Sequence, residues 1–132
     1  MLKKIKTFFL CKRLLIVPMK FFVENQEIEK ELSEILSLLH LRMNGATVGQ
    51  MEKAGIVYRK NYGVSMEHLK EIAARLARRY DLAERLWFLE IRETMLLAAM
   101  IVPPNKISLV KAMEWCQKID NNDLVERSTM YL

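Results

Sequence analysis

The sequence predicts an all-α protein, an α-solenoid of stacked antiparallel helix pairs, and three observations predict it. Apolar residues recur at helical spacing in one segment after another, Ser and Asn side chains stand where helix N-caps belong, and only four Gly and three Pro punctuate the 132 residues. A composition that is 52% hydrophobic and 28% charged also excludes a disordered or collagen-like chain and provides enough apolar surface for a core.

The elements follow in order. Asn25 is placed to cap a first helix whose apolar stripe is Ile28, Leu32, Ile35, Leu36 and Leu39, with Glu27, Glu31 and Glu34 towards water. Asn44-Gly45 reads as a turn, after which Thr47 caps a short helix through about Lys53 that Gly55 closes. The segment from Ile56 to Val64 alternates like a strand but has nothing to pair with, so it reads as an ordered loop. Ser65 caps a helix with Leu69, Ile72, Ala73, Leu76 and Ala77 on one side and Lys70, Arg75, Arg78 and Arg79 on the other.

Asp81 opens another helix to about Leu89, and after a break near Glu90 the next runs from Ile91 to Ile101. Its MLLAAMI core is apolar all round, which predicts a helix sandwiched between neighbours, and Pro103-Pro104 ends it. Ser108 caps a helix with Leu109, Ala112, Met113 and Cys116 inward, and a last helix opens between Asp120 and Asn122. Such short helices cover one another's apolar faces layer by layer instead of closing around one centre. A terminal layer should turn polar, yet Leu124, Val125, Met130, Tyr131 and Leu132 stay apolar, so the array is expected to be incomplete.

The net charge of +5 belongs to a tail. Residues 1–20 carry six basic and no acidic side chains, leaving 15 basic against 16 acidic in the rest. Residues 1–22 therefore read as a basic extension outside the fold, and residues 23–132 as one helical domain. The extension starts like a secretory signal, but Lys12-Arg13 interrupts its apolar run and no small-residue cleavage site follows, so neither a signal nor a membrane span is expected. A natural start at Met19 and a disordered extension both remain open. Within the domain, residues 53–85 hold eight basic and four acidic groups, which leaves a local basic strip. Cys11 and Cys116 give no disulfide framework or zinc site and fit a reducing, cytoplasmic setting.

Three blocks, YGVSMEHLKEIA at 62–73, LAERLWFLEIRETMLLAAMI at 82–101 and MEWCQKIDNNDLVERS at 113–128, together resemble in order and spacing the DNA alkylation repair family of HEAT-like DNA glycosylases. The resemblance covers roughly residues 40–132, the amino-terminal half or so of such a protein. It implies a HEAT-like helical repeat that wraps duplex DNA in a concave, positively charged groove. It further implies release of N3- or N7-alkylated purines with no metal or cofactor. A cationic alkylated base is already a good leaving group, so the chemistry needs mainly a carboxylate near the sugar, where oxocarbenium charge develops.

In the family that carboxylate ends a W-D-x-V-D run. The aligned residues here are Asn122, Asp123, Leu124, Val125 and Glu126, so the Trp is lost and Glu126 stands at the carboxylate position. Its extra methylene displaces the charge by about 1 Å, enough for a rate loss on the order of 100-fold, and the motif is degenerate. The resemblance thus marks Glu126 and Asp123 as candidate catalytic residues, while Lys70, Arg75, Arg78 and Arg79 are candidate DNA contacts. Acidic side chains in a first helical turn also favour the helix dipole without any chemistry, and a charged stripe opposite an apolar one serves solubility. The rival reading is a helical-repeat module for protein–protein interaction without DNA activity. Arg92 and Glu93 match the family's I-R-E element and read as an interhelical ion pair or cap, Trp87 and Trp115 as core, His40 and His68 as structural or solvent-facing. Nothing in the sequence fixes the oligomeric state.

Overall fold

The computed structural model describes residues 25–131, and among them there are seven helices and no strand. The expectations for residues 1–22 lie outside the described residues. Helix α1 (Gln26–Leu41) starts where Asn25 accepts hydrogen bonds from the backbone N–H groups of Glu27 and Ile28. Its first-turn Glu27 and Glu29 and last-turn His40 suit the helix dipole, and Leu32, Ile35 and Leu39 are buried.

Helix α2 (Gly45–Lys53) is capped by Asn44, which accepts from the Thr47 N–H at 3.2 Å, so the expected cap at Thr47 is corrected by three residues. Asn44 is extended and its short side chain reaches the first free N–H groups, a task Thr47 cannot perform from inside the helix. No residue of α2 is buried. The stretch from 54 to 65 is a loop, as expected.

Helix α3 (Met66–Arg75) is capped by Ser65 and buries Leu69 and Ile72. It ends four residues earlier than the sequence pattern implies. Leu76 is extended and packs against the core, Ala77 and Arg78 are exposed in the connector, and Arg79 is the residue before helix α4 (Tyr80–Trp87). Beyond the boundary Arg79 reaches Glu31 on α1 at 2.7 Å and its near neighbour Asp81 at 3.1 Å. A helix continued through Arg79 would carry that guanidinium elsewhere.

Helix α5 (Arg92–Ile101) is buried at all ten positions, the sandwiched helix the sequence predicts. Helices α3 and α4 pack on it, α7 (Asn122–Thr129) packs on it as well, and α1 lies against α4. Helix α6 (Leu109–Cys116) carries Trp115 inward, stacked on Trp87 of α4 with ring centroids 4.6 Å apart and planes 9° from parallel. The expected inner face of α6 is therefore corrected. Leu109, Met113 and Cys116 are exposed, because an indole offers more surface to bury than any of them.

Candidate functional site

The site starts from two buried charges on α5. Glu93 is fully buried and its carboxylate accepts the backbone N–H groups of Tyr62 at 3.0 Å and Val64 at 3.2 Å. Arg92, equally out of water, donates through Nη1 to Glu93 at 2.9 Å and to the Val64 carbonyl at 3.1 Å. The Arg92 N–H also donates to the Lys60 carbonyl at 3.0 Å. A buried ion must find hydrogen-bonding partners, and here the backbone of the 54–65 loop supplies them. The I-R-E element thus pairs within α5, where an interhelical pair or cap was the expectation, and in addition fixes the course of a loop.

That fixed loop delivers Tyr58 to the start of α7, where its hydroxyl donates to Asp123 Oδ2 at 2.6 Å. Asp123 Oδ1 accepts from Arg127 Nε, one turn on, also at 2.6 Å, and Arg92 Nε approaches Oδ2 to 3.7 Å without a hydrogen bond of its own. Asn121 caps α7 through the Leu124 N–H, and its amide donates to the Val57 carbonyl at 3.5 Å. Burial acts to raise the Asp123 carboxyl, but the hydrogen bonds from Tyr58 and Arg127 and the charges of Arg127 and Arg92 outweigh it, so the group is held below its ordinary value. Burial and then the bond to Asp123 push the Tyr58 hydroxyl upward, so it stays a proton donor.

A pH dependence follows from Asp123. Its folded-state value is depressed, so the stability it contributes is complete above the ordinary carboxylate value of 3.8 and is lost as pH falls through the lowered one. Thermal unfolding followed between pH 6 and pH 2 should show a shallower acid decline for Asp123→Asn than for the parent. Parallel curves would contradict the assignment.

Glu126 lies two positions beyond the buried Leu124, next to the exposed Val125, and is itself exposed, with no ion pair or side-chain hydrogen bond among the described residues. The two acidic candidates of α7 therefore differ in kind: Asp123 is held by three side chains and Glu126 is open to solvent. The four basic candidates also divide. Lys70 and Arg75 lie on the exposed side of α3, interleaved with Glu67 and Glu71, while Arg78 is exposed in the connector and Arg79 is turned to Glu31 and Asp81.

Sequence reasoning missed other residues of this region. Arg59 and Lys118 both reach Glu90 at 2.6 Å, which ties the loop to the end of α6. Glu90 has a left-handed backbone with φ 56, the bend by which the chain turns between α4 and α5, and burial opposes its ionisation less than Lys118 and Arg59 favour it. Lys60 stands over the Tyr62 ring, 5.3 Å from its centre. The break near Glu90 was the one available signal; nothing in the spacing links residue 58 to residue 123. Among the described residues, no group of three His, Cys, Asp or Glu side chains is placed to hold a metal ion, and no helix is long and apolar enough to cross a membrane.

The family model described as DNA alkylation repair enzyme matches residues 35–132. No curated protein and no solved structure matches.

Proposed function

This chain belongs to the DNA alkylation repair enzyme family, and from that premise we propose that it is a duplex-DNA-binding helical-repeat scaffold related to the N3- and N7-alkylpurine glycosylases. The observation that carries the reading is the contrast on α7. Asp123 is occupied by Tyr58, Arg127 and Arg92, whereas Glu126 presents a free carboxylate from the same helix. A carboxylate beside the deoxyribose stabilises positive charge as the cationic base departs, and water completes the hydrolysis of the N-glycosyl bond. The Trp of the family motif is replaced by Asn122, so this site has lost one aromatic wall.

Lys70, Arg75 and Arg78 are the proposed phosphate contacts, being exposed and without an ion pair among the described residues; Arg79 would join them only by leaving Glu31 and Asp81. Incubation with N7-methylated duplex is expected to release 7-methylguanine, and Glu126→Gln is expected to reduce the rate by about 100-fold or more. Release that survives this change removes Glu126 from the mechanism. Duplex affinity should fall with salt, and replacing Lys70, Arg75 and Arg78 together should flatten the log–log slope by about 3. A cytoplasmic setting accords with the exposed free thiol of Cys116.

One observation favours a second reading, a protein-interaction module. Leu109, Val110 and Met113 of α6 are exposed at 76, 74 and 60%, an apolar row that DNA would not use. Affinity for duplex that is absent at low salt would favour it.

A further inference from the structure

We propose that Tyr58 is a positioning residue: by donating its hydroxyl to Asp123 it fixes the start of α7 against the 54–65 loop and so sets where the Glu126 carboxylate stands. This rests on the role given to Glu126 above. Helix α7 has eight residues and buries only Leu124 and Ser128, so on its own it is too short to hold a defined orientation. Arg127 cannot anchor it, because Arg127 and Asp123 belong to the same helix. Arg92 comes from α5 but stays at 3.7 Å. Among the described residues, the bond from Tyr58 at 2.6 Å is the short link between Asp123 and the rest of the molecule, and the longer Asn121 to Val57 contact at 3.5 Å acts beside it.

The loop is a firm support for that link. It is pinned at Lys60, Tyr62 and Val64 by bonds to α5, beginning two residues after Tyr58, so the phenol approaches α7 from a supported stretch of chain. Asp123 and Glu126 are three residues apart and neighbours on the helix surface, so a helix that rolls at Asp123 carries Glu126 with it. A displacement of about 1 Å is enough to lower a rate on the order of 100-fold.

The test compares the parent chain with Tyr58→Phe, which keeps the ring and removes only the hydroxyl. Two readouts are needed: 7-methylguanine release from methylated duplex, resolved into kcat and KM, and amide hydrogen exchange along α5 and α7. The expected result is a kcat about tenfold lower at unchanged KM, with exchange at residues 124–126 about tenfold faster and exchange in α5 unchanged, the factor expected for one hydrogen bond to a charged group. Faster exchange with unaltered kcat overturns the proposal, since the link then does not govern Glu126. A lower kcat without faster exchange overturns it too, since Tyr58 then acts otherwise. If the parent releases no base, the proposed function fails by itself. Exchange alone then decides the link: faster exchange upholds it, and unchanged exchange ends it.

Discussion

Replacing Glu93 by Gln is expected to destabilise the protein by about 3–5 kcal/mol, the loss found when one partner of a buried ion pair is removed. The carboxylate accepts from the Tyr62 and Val64 N–H groups and from Arg92, and water does not reach it. An amide has the same outline but only one accepting atom. Its NH2 group would face a backbone N–H or the guanidinium, donor against donor, and Arg92 would remain buried with its charge uncompensated. Because those bonds determine the path of the loop, the damage should extend beyond α5. Urea unfolding of parent and variant measures the difference, and a loss below about 1 kcal/mol would contradict the network described.

The second large effect is expected at Gly63. Its φ of +70 lies in the left-handed region, and a Cβ added there would run into the Asn44 carbonyl oxygen and meet Val48 Cγ2 at 3.0 Å. That oxygen is not free to move, because it accepts the first hydrogen bond of α2 from Val48 N–H, and the Asn44 N–H donates to the Tyr62 carbonyl. Gly63→Ala therefore adds backbone strain of about 1–2 kcal/mol to a clash with fixed backbone. Gly55 provides the control, since it too has positive φ, +80, but open space around it. Gly55→Ala should cost only the strain, and Gly63→Ala should exceed it by about 2 kcal/mol or more, within the range for strained backbone sites. Equal losses would mean that the loop yields at Asn44.

Most of the fold was legible because local signals and tertiary packing agree. Asn25, Ser65 and Ser108 cap where a short polar side chain precedes an apolar stripe, and the uninterrupted apolar run of α5 admits only a buried helix. The discrepancies fall where packing decides. Helix α6 has two apolar faces, one with Leu109 and Met113 and one with Trp115, and a single sequence gives no means of choosing between them. Helix α3 ends without Gly or Pro, at an extended Leu76 packed against the core, and beyond it Arg79 pairs with Glu31, a residue 48 positions away.

The candidate site was half legible. Asp123 and Glu126 could be marked from a motif on one helix. Their different surroundings could not, because the partner that separates them, Tyr58, lies in a loop 65 positions earlier, and its course is set by Glu93 on a third element. Reading helical spacing finds residues that share a helix. It does not find a loop threaded past a buried carboxylate.

The stacked indoles have a use of their own. The chain has two tryptophans, and both lie in the one α4–α6 contact. Excitation at the red edge of the indole band, where the four tyrosines do not absorb, thus reports on a single joint. Coupled indole transitions should give a strong dichroism in that band, which any partner prying α6 from α4 would extinguish and events at α7 would leave unchanged.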